Sequence, residues 1–425
     1  MLSVRHVPVR LLLLSACFSP AALSQQTYTW NQIKDRLEKT NPTLRASDDS
    51  IAEAKVMEIT AFLRPNPDLN FTTDGYQIAP NQGVWQPFSG VLFTTGISYL
   101  HERDHKRELR LESAKKNTQI AASQRDDTLR NMLFNLRGAF VSALQAKAVR
   151  QVASENLESY DRVLGVARDR LRAGDIAQVD LMRLDLQRVQ YESDLQTAEV
   201  NVRTAKIQLQ QLLNDRTPVE QFDISGAFDF SENLSTLEEI RHLALDARPD
   251  LRAAIETVEK AKSDHKLAVA NGSSDPTFSG WWTNNASFSN PFANNTIGGS
   301  VSVPLRIFDR NQGERERTEI DVRRSERLRE AAEAQVYSDV DSAFATLNSS
   351  LALLRPYKTK YLEEAMQVRD TITFAYQHGG ASLLDFLTAQ NDYRTTRLSY
   401  LNLVGAYLSA ANQLNLAAGR EVITQ

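Results

Sequence analysis

Apolar residues recur in steps of three and four along two very long stretches: Leu129, Leu133, Leu136, Phe140 and Leu144 in one, Val336, Val340, Phe344, Leu347, Leu351 and Leu354 in the other. Stripes of that period belong to helices packed in the manner of a coiled coil. The first stretch, about residues 102 to 172, would be about 105 Å long at 1.5 Å per residue. Only an elongated body can hold such a helix. Both stretches end at glycine, in Arg172-Ala173-Gly174-Asp175 and Gln377-His378-Gly379-Gly380, where a left-handed C-cap favours that residue. A returning helix of about 38 residues follows each turn, giving the lower half of each long helix a partner. Helices of about residues 43 to 63 and 250 to 270 can pair with the upper halves. Pro356 lies inside the second stretch and predicts a kink or a local unwinding.

Between these helices the period changes to two, in segments of about 68 to 76 with 90 to 100, and 276 to 286 with 296 to 305. Val91, Phe93, Thr95, Ile97 and Tyr99 alternate with Gly90, Thr94, Gly96 and Ser98; Ile297, Val301 and Val303 alternate with Gly298, Ser300 and Ser302. Aromatic residues gather at the edges: Tyr76, Trp85, Trp281, Trp282, Phe288 and Phe292. The strands fit either an outer-membrane barrel or two soluble hairpins packed on helices.

The chain is one unit written twice. With Gly174 laid on Gly379, an offset of 205, Asp180 falls on Asp385, Leu209 on Leu414, and Leu195 and Val202 on Tyr400 and Tyr407. Upstream, Asn41-Pro42-Thr43-Leu44-Arg45-Ala46 corresponds to Arg248-Pro249-Asp250-Leu251-Arg252-Ala253 at an offset of 207. A duplication fixes architecture more firmly than local propensity. The expected divisions are residues 25–214 and 236–425 for the two repeats, with 215–235 connecting them.

Composition then narrows the class. At 42% apolar and 24% charged the chain is a folded one. Arg5 and Arg10, the apolar run Leu11 to Phe18 and the small-residue site Ala22-Leu23-Ser24 read as a secretory signal peptide over residues 1–24. Leu14-Ser15-Ala16-Cys17 also fits a lipobox, which would make Cys17, the only cysteine, a lipidated N-terminus. Removing the signal takes two arginines and no acid from the formal charge of −4, leaving −6 and no basic footprint for nucleic acid. Downstream there is no uninterrupted apolar stretch of eighteen residues, so a membrane could be crossed only by strands. That, with the signal, tips the strands toward a barrel. Four strands per chain cannot close one, since single-chain barrels start at eight, so two or three chains must share it.

Two Gly-x5-Asp turns, each between a very long helix and a returning one and preceded by a strand pair, resemble the TolC family of outer-membrane efflux proteins. The second copy matches better, through Tyr376, Gly379, Ala381-Ser382-Leu383-Leu384-Asp385, Ala389-Gln390 and Tyr400. Val303-Pro304-Leu305-Arg306-Ile307-Phe308-Asp309-Arg310-Asn311-Gln312-Gly313 resembles the CzcC-like branch, the outer-membrane partners of heavy-metal pumps. Lys106-Arg107 and Arg110 stand where that branch often has Gly-Lys-Arg, with Asp104-His105 in place of the glycine. The resemblance implies a mainly α fold with a small β part, and a homotrimer sharing one barrel in the outer membrane lipid with a long periplasmic tunnel. It implies no chemistry and no cofactor. The implied partners are a periplasmic adaptor docking at the tips, around Gly174, Gly379 and Gly380, and an inner-membrane RND transporter, with heavy-metal cations as cargo. Multidrug efflux or type I protein secretion on the same fold is the alternative, and a soluble periplasmic scaffold a more distant one.

Within that resemblance Asp385 corresponds to an aspartate that narrows the closed aperture, where three copies form an acidic ring. Ser382-x-x-Asp385 is equally a capping box. Thr388 stands where the family often has a second aperture aspartate. Asp180 and Tyr376 match positions that hold two tips together, although core packing accounts for the tyrosine as well. One motif points elsewhere. His101-Glu102-Arg103-Asp104-His105 fits H-E-x-x-H, which on a helix holds zinc between two histidines and activates water with the glutamate. Here it abuts a strand end, runs straight into Lys106-Arg107-Glu108 and has no obvious third ligand, so a solvated strand-to-helix junction is expected.

Overall fold

A computed structural model describes residues 26–232, 235–285 and 294–423. The signal peptide, Cys17, Phe288 and Phe292 lie outside the described residues. The first copy starts with β1 (Gln26–Tyr28), α1 (Trp30–Thr40) and α2 (Pro42–Phe62). Asn41 starts α2 by accepting the amides of Thr43 and Leu44, with Pro42 already held at a helical φ. Next come β2 (Asp68–Asp74), β3 (Leu92–Leu100), α3 (Lys106–Ala173) and α4 (Gln178–Leu212). The 68 residues of α3 make it about 100 Å long, and it begins at Lys106, not 102.

After β4 (Phe222–Ile224) the second copy repeats the order: α5 (Leu237–Ala247), α6 (Pro249–Ala270), β5 (Thr277–Asn285), β6 (Asn295–Ser302) and α7 (Gln312–Pro356). At Pro356 the long helix unwinds as the sequence predicts. One π-turn, Tyr357–Tyr361, separates α7 from α8 (Leu362–Gln377), and α9 (Leu383–Ala418) returns. Proline has no N–H to donate and its ring crowds the carbonyl four residues back. A π-turn absorbs that break without ending the helix.

In the upper half the packing order is α2, α3, α6, α7; in the lower half it is α4, α3, α9 and then α7 with α8. Each copy has its own core. Ile33, Leu37, Leu136, Phe140, Leu209 and Phe222 fill the first; Ile240, Val340, Leu347, Tyr407 and Leu414 fill the second. The segment connecting the repeats carries β4, which pairs parallel with β1, Gln26 against Phe222 and Tyr28 against Ile224. Asp223 anchors it through Lys147 and Lys206, both 2.9 Å away. Their hydrogen bonds outweigh the burial that would raise its pKa and hold the carboxyl below its ordinary value.

Four strands form one antiparallel sheet in the order β2-β3-β5-β6. Leu69 pairs with Ile97, Tyr99 with Phe278, Phe278 with Val301 and Trp282 with Ile297, so all these side chains share one face. That face is bare: Phe71 is 74% and Ile297 88% exposed. The opposite face carries Thr72, Thr94, Ser98, Ser279, Thr283 and Ser300, with Thr94 and Thr283 hydrogen-bonded at 3.0 Å. Its largest apolar residue, Trp281, lies over Gly298, where a Cβ would meet the indole at 2.6 Å. Glycine is required there.

Candidate functional site

At the far end of the helices two turns are built alike. Gly174 takes φ +84° and Gly379 φ +79°, the left-handed region that penalises a Cβ. Asp175 N–H donates to Arg170 O at 2.9 Å, and Gly380 N–H to Ala375 O at 2.7 Å. Each bond closes the last helical turn six residues to one. Gly380 itself has a negative φ and ordinary room for a Cβ, so only Gly174 and Gly379 are demanded by the backbone.

The helices leaving the turns start differently. Ser382 Oγ accepts the Asp385 amide at 3.2 Å, and Asp385 Oδ2 accepts the Ser382 N–H at 3.2 Å and its hydroxyl at 2.7 Å. These bonds from Ser382 hold the Asp385 carboxyl below its ordinary pKa. In the first copy Ala177 stands where Ser382 does and provides no cap, and Asp180 reaches only Arg183, at 3.8 Å.

Behind the turns a shared core joins the two hairpins. Tyr376 is buried, stacked on Phe386 at 4.9 Å, with Arg170 above its ring and Arg170 Nη1 donating to its carbonyl at 2.7 Å. Tyr160 stacks on Tyr191 at 4.7 Å and donates its hydroxyl to Leu184 O. The Tyr376 hydroxyl is buried with no hydrogen-bond partner among the described residues. Burial raises its pKa, Arg170 opposes this, and the nearby Asp180 charge adds to the rise. Asp385 is exposed and turned onto its own cap.

The H-E-x-x-H segment does not take the geometry its pattern requires in a peptidase. His105 is the N-cap of α3 at φ +58°, so no helical turn carries both histidines. The His101 ring packs edge-on against Phe278, 6.5 Å away, and Glu102 is held by both Nη atoms of Arg110. What the segment builds is a strut. Lys106, 3% exposed, bonds Asp275 at 2.6 Å and Ser273 O at 3.0 Å, and Asp275 also accepts the Arg103 amide at 2.9 Å. This tie between α3 and the entry to β5 had no sequence signal, because its partners are 169 residues apart.

A half-apolar, half-polar sheet on a layer of helices about 100 Å long, with both repeating, defines the protomer of an outer-membrane efflux channel, its helices reaching into the periplasm. Residues 240–420, the second copy, match the family model described as outer membrane efflux protein. It is similar to the cobalt-zinc-cadmium resistance protein CzcC of Cupriavidus metallidurans, 24% identical over 327 residues and 74% of each chain. It is also similar to the pyoverdine export outer membrane protein OpmQ of Pseudomonas aeruginosa, 23% identical over 77% of this chain and 70% of that one. Among solved structures CusC superposes with a TM-score of 0.75 at 19% identity, over 92% of both chains.

Proposed function

We propose that three copies of this chain close a twelve-stranded barrel and a helical tunnel, the exit duct of a tripartite efflux system energised by an RND transporter through a periplasmic adaptor. The duplication is the observation that carries this. Within the chain α9 packs on α3, with Gly405 against Gln145 and Asn412 donating to Phe134 O. Subtracting the repeat offset of 205 turns those two positions into Val200 and Ile207 of α4, which are 62% and 51% exposed. With Val179, Met182, Leu186 and Val189 they form a bare heptad seam on the outer helix. The opposite edge of the layer is equally bare, at Leu353, Tyr361 and Val368. The contact made once inside the chain is repeated between copies: α4 of one copy packs on the α7–α8 edge of the next. Edges β2 and β6 pair in the same step.

Heavy-metal cations are the cargo that the likeness to CzcC supports; the likeness to OpmQ makes a siderophore the second reading. At the tips, three copies of Asp385 form an acidic ring, and the Tyr376 hydroxyl, which has no partner among the described residues, donates to Asp180 in the closed state and latches the turns, which with Gly174, Gly379 and Gly380 present the adaptor's docking surface. Deleting the gene tests the cargo. Growth failing first in zinc, cobalt or cadmium supports cations, and a defect confined to siderophore release overturns them. In planar bilayers Tyr376→Phe should raise resting conductance, and Asp385→Ala should lower cation preference. An unaltered selectivity together with a lower melting temperature would reduce Asp385 to a helix cap.

A further inference from the structure

Where α1, the middle of α3, the start of α6 and the end of α9 meet, the chain forms a half-open cavity of about 370 Å³ that the transport reading does not use. Its lining mixes apolar side chains, Leu133, Phe134, Leu416 and Trp30, with charged ones. Lys34, Arg130, Arg137, Arg252 and Arg420 line it with two acids, Asp126 and Glu421, and Arg130 is also paired with Asp127 at 2.6 Å and Asp250 at 3.3 Å.

Arg137 is the central group. It is 6% exposed, its guanidinium lies 4.4 Å from the Trp30 ring centroid, and its single hydrogen-bond acceptor among the described residues is Glu421, at 3.0 Å. A guanidinium has five N–H donors, and burying them without acceptors is costly. Two further donors at the same place are orphaned: Trp30 Nε1 and Arg130 Nε are buried without partners among the described residues. Arg252 is paired with Asp126 at the mouth, while Lys34 and Arg420 have no acid within ion-pair distance among the described residues.

We propose that this cavity binds a small organic anion with a flat apolar body, an aryl carboxylate in chemical class. Its carboxylate takes the planar fork of Arg137 beside Glu421, with the Trp30 N–H as a further donor. Its ring lies along Leu133, Phe134 and Leu416, and Lys34 and Arg420 draw the charge in from the mouth. The bound molecule would tie α1 and the end of α9 to the midpoint of α3. The cavity lies within one chain, so the proposal stands apart from the number of copies.

The test is calorimetric titration of the purified full chain, in non-ionic detergent, with 1-naphthoate and separately with sulfate. Saturable naphthoate binding is expected, weakened at least tenfold by Arg137→Gln and abolished by Leu133→Trp, which fills the cavity. Glu421→Gln removes the competing carboxylate and should tighten binding, an opposite sign that no loss of folding can imitate. Absence of saturable binding overturns the proposal. So does binding unchanged by Leu133→Trp and Glu421→Gln, or sulfate binding as tight as naphthoate.

Discussion

Where the first copy passes from strand to long helix, Lys106 is buried against Asp275; where the second makes the same passage, Gln312 holds the first helical position and bonds only its own turn. Both passages use a left-handed N-cap, His105 at φ +58° and Asn311 at φ +60°. Geometry was copied and charge was not. The same holds at the tips, where the two glycine turns match but only the second copy has a capping box. It holds in the shaft too, since α3 runs unbroken while its counterpart carries the π-turn after Pro356. The first copy's long helix is fixed inside the layer, and the second copy's stands at its edge.

The largest way to break this comparison is at the junctions. Asp275→Asn leaves Lys106 buried and unpaired and should cost about 3 kcal/mol, whereas Gln312→Ala should cost under ~0.5 kcal/mol; denaturant unfolding of both variants measures the gap. Next come the turns. Gly174→Ala and Gly379→Ala should each cost about 1–2 kcal/mol for a left-handed Cβ, and Gly380→Ala almost nothing. Unequal losses at Gly174 and Gly379 would show that the two turns are not equivalent.

The caps are worth less. Ser382→Ala should cost about 1 kcal/mol, and Ala177→Ser, which places a hydroxyl three residues before Asp180, should return part of that to the first copy; thermal melts read both. Smallest is the pH effect. Because Ser382 lowers the folded pKa of Asp385, its contribution is complete above the ordinary aspartate value and lost as pH falls through the lower folded one. The melting-temperature difference between wild type and Ser382→Ala should therefore shrink on acidification and hold steady above pH 5.

Much of this was legible in the chain. The period of the apolar stripes gave the long helices, the offset of 205 gave the duplication, and Gly174, Gly379 and Pro356 marked the ends and the break because each imposes a local backbone rule. Element ends were off by a few residues, as at Lys106, since the strand's exit loop has no periodic signal. H-E-x-x-H was readable as a strand-to-helix junction from its place in the chain; the peptidase pattern presumes a helix, and the left-handed His105 shows there is none. The pairing of β1 with β4, Lys106 with Asp275 and Arg137 with Glu421 joins residues far apart in sequence, and only folding brings them together. Of the tip residues, the capping box was readable from Ser382-x-x-Asp385, whereas the missing partner of the Tyr376 hydroxyl was not.

The sheet's two free edges set an order of events. Strands β2 and β6 each offer a row of backbone N–H and C=O groups with nothing beside them among the described residues, and one face of the same sheet is largely bare hydrocarbon. Lipid cannot satisfy the first and water cannot satisfy the second. If copies share one barrel as proposed, a newly exported chain has no comfortable solvent: it needs an escort across the periplasm and must meet its fellows before, or while, it enters the bilayer. Insertion should then depend steeply on how many chains arrive together, so that halving synthesis lowers the yield of finished ducts by far more than half.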